Sequence, residues 1–297
     1  ESVSVFGGEE LVPPQYGKVF ISIKPRNGDF VPSIIKQNIK RDLKRYSVAG
    51  IVPEILDLKY LFIETNSKVY YNTNLAPSAS FVSTKVQRDL TAYAESSELN
   101  KYGARFKYSR FLKVIDSSHE SVTSNITTVE MRRDLRLAVS EVAEYAIDFG
   151  NEFHVQSMSG YNIRSSSFRV LNINTDVYLY DTPDSTGEKG QISLFSLDEG
   201  SSTPIIQRRN VGVIDYKKGR ITLDPINIVS GKTKDNVDIL EISATPESND
   251  IIGLQDLYLQ LDSSFVDMVV DEISSGADPS GSTYTVTTSY KNGNIIR

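Results

Sequence analysis

The sequence predicts an α+β protein in which a ferredoxin-like split βαβ domain, residues 16–139, is followed by a β-rich domain, residues 140–297. Three observations support this fold class. In the first half, strand and helix periodicities follow in the order β-α-β-β-α-(α)-β, which is typical of an antiparallel sheet with helices on one face. Helical periodicity largely disappears after residue 150. The balance of charge also changes near residue 140.

The change in charge is large enough to predict a domain boundary. Residues 1–139 hold 20 Lys and Arg against 15 Asp and Glu, a net of +5, whereas residues 140–297 hold 12 against 23, a net of −11. Because the chain opens on Glu1, we expect a fragment in which residues 1–15 link to an upstream domain. Net acidity argues against a nucleic-acid partner, and no apolar run approaches the roughly 20 residues that span a membrane.

The first domain begins with a strand and a helix. Val19, Ile21 and Ile23 alternate along the chain, which is the period of a half-buried strand. Apolar residues then recur at helical spacing over residues 33–50; they are Ile35, Ile39, Leu43 and Tyr46.

The rest of this domain alternates between strands and helices. Residues 54–72 predict two strands around a turn at Thr65-Asn66-Ser67. Helices are predicted within residues 78–99, where Val82, Val86, Leu90 and Tyr93 are in line, and within residues 109–122. A strand over residues 125–139 closes the domain.

The second half predicts hairpins and strands. Residues 176–197 indicate a hairpin with a long polar loop, and residues 212–223 a tight hairpin with Gly219 at positive φ beside a bulge. Residues 237–246 and 256–262 read as strands. The apolar spacing of residues 263–273 fits a helix and their β-branched content fits a strand, so both remain open.

Several motifs resemble parts of catalytic or metal sites. Cysteine is absent, which excludes thiolate chemistry and disulfides and is typical of assembly in a reducing compartment. Gly231-Lys232-Thr233 resembles the end of a phosphate loop, but Ile226 stands where the motif requires glycine. His119 and His154 have no motif around them. We therefore expect no catalytic residue, no cofactor and no metal.

Two further stretches have simpler structural explanations. Residues 105–113 interleave basic and aromatic residues, as single-strand binders do, but helical spacing favours an amphipathic helix. Residues 181–188 supply carboxylates without the ligand spacing of a calcium loop, so a hairpin tip is expected.

The opening stretch carries a resemblance to a known family. "GGEE…VPPQYGKVFISIKP" is similar to the junction of baseplate J-like proteins of contractile phage tails, where a Gly-Gly-acid turn and a Pro-Pro-x-Tyr-Gly element enter the first strand. "GVIDYKKGRITL" and "LEISATPESNDIIGLQDLYLQLD" resemble later β segments of that family. The resemblance covers essentially the whole chain and rests on structural motifs.

This resemblance implies a structural virion protein of the tail baseplate, assembled in the host cytoplasm, and not an enzyme. It implies a dimer that joins a ring of dimers around the tail hub and takes part in the shape change at infection. Other wedge subunits would be direct partners, and hub and sheath-initiating proteins indirect ones. The alternative is a β-rich carbohydrate- or receptor-binding module, weakened by the absence of Trp.

The self-association surface is predicted near the end of the chain. In "STYTVTTSY", Tyr284, Val286 and Tyr290 share one face of a strand that stands near a chain end. Such strands are often sheet edges, which recruit partners, and tyrosine is common in interfaces. That this face packs on its own sheet is an equal alternative.

Overall fold

The computed structural model describes residues 2–10, 14–26, 28, 31–48, 50–155, 161–198, 203–234, 236–254, 256–275, 290, 291, 294 and 295. Its elements are mostly strands with a few helices. The predicted α+β class is therefore confirmed.

The first sheet is a βαβ crossover with one added strand. Strand β2 (Lys18–Lys24) pairs in parallel with β3 (Val52–Leu56), and helix α1 (Ser33–Lys44) connects them. Strand β1 (Ser2–Gly7) pairs antiparallel with β2, giving the order β1-β2-β3. The predicted strand and helix are both present. The stretch for which a linker is predicted contributes β1.

A second group of elements follows β3. It comprises β4 (Lys59–Tyr71), α2 (Ala79–Ala94), β5 (Arg105–Phe106), α3 (Tyr108–Asp116) and β6 (Val122–Arg136). The predicted turn at Thr65-Asn66-Ser67 is wrong, because β4 runs through it without a break. Thr65 and Ser67 are buried, and the Ser67 hydroxyl lies 2.8 Å from that of Thr127 on β6. Hydroxyl pairing across strands makes polar residues compatible with a sheet interior.

The remaining elements are nearly all strands: β7 (Val142–Asp148), β8 (Arg164–Ser165), β9 (Arg169–Val170), β10 (Tyr178–Pro183), β11 (Lys189–Leu197), β12 (Pro204–Asp215), β13 (Arg220–Ser230), β14 (Lys232–Lys234), β15 (Val237–Ala244), β16 (Ile251–Ile252), β17 (Leu257–Val270), β18 (Tyr290–Lys291) and β19 (Asn294–Ile295), with helix α4 (Glu272–Ser275). For residues 263–273, where the sequence fits both a helix and a strand, the structure has mainly strand, with a short helix at the end.

Within the described residues, these strands together with β4, β5 and β6 form two six-stranded sheets and two small pairs. One sheet has the order β10-β11-β12-β13-β7 with β9 beside β13, and the other has the order β14-β15-β6-β4-β17 with β8 beside β15. Strands β2 and β3 lie in one sheet and β4 and β6 in another. The single sheet of a ferredoxin-like domain is therefore not confirmed.

Both predicted hairpins of the second half are confirmed. β10 pairs antiparallel with β11, and β12 with β13. Gly219 adopts a φ of 63° in the second turn. A Cβ there would lie 2.0 Å from the carbonyl oxygen of Asn151, so both the backbone conformation and the space require glycine.

The chain divides into two compact units, each built from three segments. Unit 1 comprises Glu1–Thr65, Ala94–Tyr108 and Val129–Ser263, and unit 2 comprises Asn66–Tyr93, Ser109–Thr128 and Ser264–Arg297. The predicted boundary near residue 140 falls within the third segment of unit 1. It stays a prediction about where the chain can be cut.

Each unit has its own buried core. In unit 2 the in-line residues of α2 are buried as predicted, together with Phe111 and Ile115 of α3. In unit 1 the rings of Phe149 and Phe153 meet at 5.0 Å. Aliphatic side chains of the sheet around β12 are buried with them; they are Ile192, Leu194, Ile214 and Ile221. No helix in the described residues is both long and apolar enough to cross a membrane.

Candidate interaction surfaces

The phosphate-loop motif lies on a sheet rather than before a helix. Lys232 begins β14, which pairs with β15, and its ammonium donates to both carboxylate oxygens of Glu241 at 2.7 and 2.8 Å. A Cβ at Gly231 would lie 2.5 Å from Leu137 and 2.6 Å from the Ile239 carbonyl oxygen. This glycine therefore serves close packing, and the lysine is held by a carboxylate.

The two histidines make separate local contacts. His119 Nδ1 lies 2.8 Å from the Ser121 hydroxyl, and its ring meets Phe81 edge-on. His154 Nδ1 lies 2.8 Å from Glu247 Oε2, with both side chains half exposed. Within the described parts of the chain, no group of three or more His, Asp or Glu side chains is arranged to hold a metal.

The basic and aromatic stretch forms the expected amphipathic helix. Phe111 of α3 is buried against the Tyr93 ring at 6.3 Å, whereas Arg110 and Lys113 are exposed. The aromatic ring therefore belongs to the core of unit 2 and is not presented to a nucleobase.

Asp181, at the start of the predicted hairpin tip, is instead a buried anchor. One carboxylate oxygen accepts the backbone N–H groups of Asn162 and Ile163, each at 2.7 Å, and the other accepts the Tyr216 hydroxyl at 2.6 Å. Burial and the hydrogen bond to this carboxylate raise the pKa of the Tyr216 phenol well above its usual range. Sequence spacing contains no signal for this contact, because its members lie far apart in the chain.

The tip itself is an ordinary polar turn. The Asp184 carboxylate accepts the Thr186 hydroxyl at 2.6 Å and the Thr186 and Gly187 backbone N–H groups at 2.9 Å. The Thr186 hydroxyl and these backbone groups lower the pKa of Asp184. Such bonds stabilise a turn without a ligand.

A second buried polar cluster centres on Arg132 of β6. Its guanidinium donates to Asp134 at 2.9 Å, to Glu64 of β4, and pairs with Asp262 of β17 at 2.8 Å. The Phe62 ring lies 4.5 Å from the guanidinium carbon. Burial lowers the pKa of Arg132, but Asp134, Glu64 and Asp262 outweigh burial and hold this pKa above its usual range. The cluster ties three neighbouring strands together and leaves no free acid or base.

The opening turn is also structural. The Gln15 backbone N–H donates to the Gly8 carbonyl at 2.8 Å, and a Cβ at Gly8 would lie 1.9 Å from the Gln15 carbonyl oxygen. Glu10 accepts the Gly7 backbone N–H at 3.4 Å. Gly8 is therefore required by a closed turn between β1 and β2, in agreement with a structural role for this stretch.

The predicted self-association residues fall at the limits of the described chain. Tyr284 and Val286 lie outside the described residues. The backbone of Tyr290 lies on β18 and pairs with Ile295. The interface assigned to these three residues therefore stays a prediction.

Large apolar side chains are exposed in the first 52 residues. Val3 and Val5 of β1 are 57% and 61% exposed, and α1 buries none of its residues. Others lie on α1, after it and at the start of β3: Ile34, Ile35, Tyr46, Val48, Ile51 and Val52. Exposed apolar residues contribute to protein–protein contacts where they are contiguous. Sequence periodicity could not show that Ile34 and Ile35 of α1 are exposed, or that its Ile39 and Leu43 are only half-buried.

The polar groups described here hold strands and turns together. Comparison with known proteins gives the class of protein. Residues 1–56 match the family "Baseplate structural protein gp6, C-terminal domain I" and residues 59–134 match "Baseplate structural protein gp6, C-terminal domain III". The chain is also 29% identical over 170 residues to the baseplate wedge protein gp6 of Enterobacteria phage T4.

These matches confirm the resemblance to a phage tail baseplate family. This chain is a relative of the C-terminal part of gp6 baseplate wedge proteins. The alignment covers 56% of this chain and 26% of the T4 protein, so the chain spans about a quarter of that relative. The family is structural, which confirms the expectation of a non-enzymatic protein of the virion tail baseplate.

Proposed function

We propose that this chain is a structural element of a contractile phage tail baseplate that self-associates and links wedges into the inner ring around the hub. One observation carries the proposal: two gp6 C-terminal domain matches stand side by side, in residues 1–56 and 59–134. The ring, its dimers and its shape change at infection come from the predicted resemblance. Other wedge subunits are its proposed direct partners, with hub and sheath-initiating proteins as indirect ones.

The internal chemistry of the chain agrees with a load-resisting role. Two buried ionisable groups are engaged with remote segments: Asp181 holds the backbone before β8 and the turn after β12, and Arg132 pairs with carboxylates of its own and neighbouring strands. Charged hydrogen bonds of this kind fix strand register with strict geometry. The exposed apolar side chains of the first 52 residues are available for contact with other subunits.

Light scattering over a wide concentration series tests self-association directly. The monomer mass is 33.1 kDa, and the weight-average mass should rise to twice that value or more with concentration. A mass that stays at 33.1 kDa throughout would contradict self-association. Repeating the series in high salt separates apolar from charged contacts, since salt screens the latter.

The alternative function, a carbohydrate- or receptor-binding module, stays a prediction. A glycan array would test it, and specific binding to one glycan class would support it. Absence of binding together with a concentration-dependent mass would favour the structural role.

A further inference from the structure

Strand β1 is a sheet edge without the features that usually block edges. It is the outermost strand of the order β1-β2-β3, and its six residues pair with β2 without a register shift. Its sequence, SVSVFG, contains no charge and no proline. A regular, uncharged edge with exposed β-branched residues is a template for another strand.

Other edges in unit 1 show the contrast. Residues 204–210 of β12 are all exposed, and among the described strands they pair with β11 alone. This edge contains Pro204, Arg208 and Arg209, and two register shifts interrupt its pairing. Strand β3, the other edge of the first sheet, contains Pro53 and Glu54. Proline, charge and bulges are the devices that prevent edge pairing, and β1 has none of them.

The inner side of β1 is firmly held, so the edge is preformed. The Phe6 ring is buried and stacks on Phe20 of β2 at 5.9 Å. The Ser2 hydroxyl accepts the Tyr102 backbone N–H at 3.2 Å. A partner strand would therefore bind a backbone that is already ordered, so β1 would lose little conformational entropy on binding.

The pattern of β1 fits a second copy of itself. Successive side chains point to opposite faces of a strand, so Val3 and Val5 share one face. When two such strands pair antiparallel about Ser4, Val3 of each lies opposite Val5 of the other. Because no side chain of Ser2–Gly7 is charged, the paired strands themselves bring no like charges together. A two-fold contact requires such self-complementarity.

We propose that β1 pairs antiparallel with β1 of a second copy, so that the first sheet continues across a two-fold axis. This inference rests on the proposed self-association and assigns one of its surfaces. Backbone hydrogen bonds supply most of the attraction in strand addition, and the facing side chains supply specificity.

The test compares Val5→Lys with Val5→Thr by light scattering. Lysine places a charge on the edge, opposite Val3 of the other copy, at two places in the pair, so the association constant should fall about tenfold or more. Threonine is uncharged and β-branched, so Val5→Thr should associate much as the parent does. Ile126→Lys is the matched control, because Ile126 is a 60% exposed residue of β6 in unit 2 and should leave association unchanged.

Hydrogen exchange provides the second readout. The β1 amides that do not donate to β2 should exchange more slowly at high than at low protein concentration. Suppose that the parent associates. If Val5→Lys then associates equally well, or if these amides exchange at the same rate at both concentrations, β1 is not the contact and only the proposed self-association remains. If Val5→Lys shows no thermal unfolding transition, the variant is unfolded. The exchange of the β1 amides in the parent then tests the proposal by itself. A parent that stays monomeric overturns both proposals.

Discussion

The Tyr216 hydroxyl donates a 2.6 Å hydrogen bond to the buried carboxylate of Asp181, and the two residues stand 35 positions apart. Through the same carboxylate, the backbone at Asn162 and Ile163 is fixed to β10. This one side chain therefore joins the segment before β8, strand β10 and the turn after β12.

Replacing Asp181 should be strongly destabilising. Asp181→Ala leaves two buried backbone N–H groups and one phenol without an acceptor, which costs about 3–5 kcal/mol of unfolding free energy. Tyr216→Phe removes one bond and should cost about 1–2 kcal/mol. Urea unfolding of the three proteins measures both values. Equal losses in the two variants would show that the backbone contacts contribute nothing.

The same pair predicts a loss of stability in alkali. Because the pKa of Tyr216 is raised in the folded state, its contribution is fully present below the unfolded value of about 10 and falls as pH rises above that value. Above pH 10 the unfolding free energy of the parent should therefore decrease more steeply than that of Tyr216→Phe, by about 1.4 kcal/mol per pH unit. Parallel slopes would contradict a raised pKa for this phenol.

Arg132 should matter far more than an exposed arginine. Arg132→Met removes the shared partner of Glu64, Asp134 and Asp262 and should lower the unfolding free energy by about 3–5 kcal/mol. Arg88, whose side chain is mostly exposed beside Asp89, provides the control, and Arg88→Met should change stability little. Thermal unfolding of both variants checks the difference. A similar melting temperature for the two would mean that the cluster adds no net stability.

The predicted contact at Tyr284, Val286 and Tyr290 needs its own variant. Val286→Lys should weaken association, because a charge is costly in an apolar contact, and should leave the monomer folded. Light scattering and circular dichroism on the same samples check both points. Unchanged association places the contact elsewhere, and loss of folding would show that Val286 is a core residue.

Limited proteolysis tests the predicted boundary near residue 140. A stable fragment should end between residues 137 and 165 if the halves on either side are separate domains. Residues 142–148 form β7 and pair with β13, so cuts are expected on either side of this strand. Mass spectrometry of the fragments locates them. Digestion without any lasting fragment would speak against a boundary there.

Local patterns predicted the local elements of this fold. The spacing of Val82, Val86 and Leu90 specified which side of α2 is buried, and Gly219 marked its turn because only glycine fits there. Sequence patterns could not predict that β4 is continuous, because its polar residues are accommodated by contacts with a strand that is distant in the sequence. The partners of Asp181 and Arg132 also come from remote segments, and the family came from motif order rather than from any reactive group.

The pairing of β6 with β15 has a consequence for how the chain is made. Arg136 of β6 lies opposite Ile239 of β15, so a ribosome that adds 5–20 residues per second leaves β6 waiting for about 5 to 20 seconds. During that time one edge of β6 is open to wrong partners. The part of β6 that pairs with β15 carries Arg132, Arg133, Asp134 and Arg136, and charges on an open edge disfavour incorrect pairing. These charged side chains therefore also disfavour incorrect pairing of the nascent β6 until β15 has been synthesised.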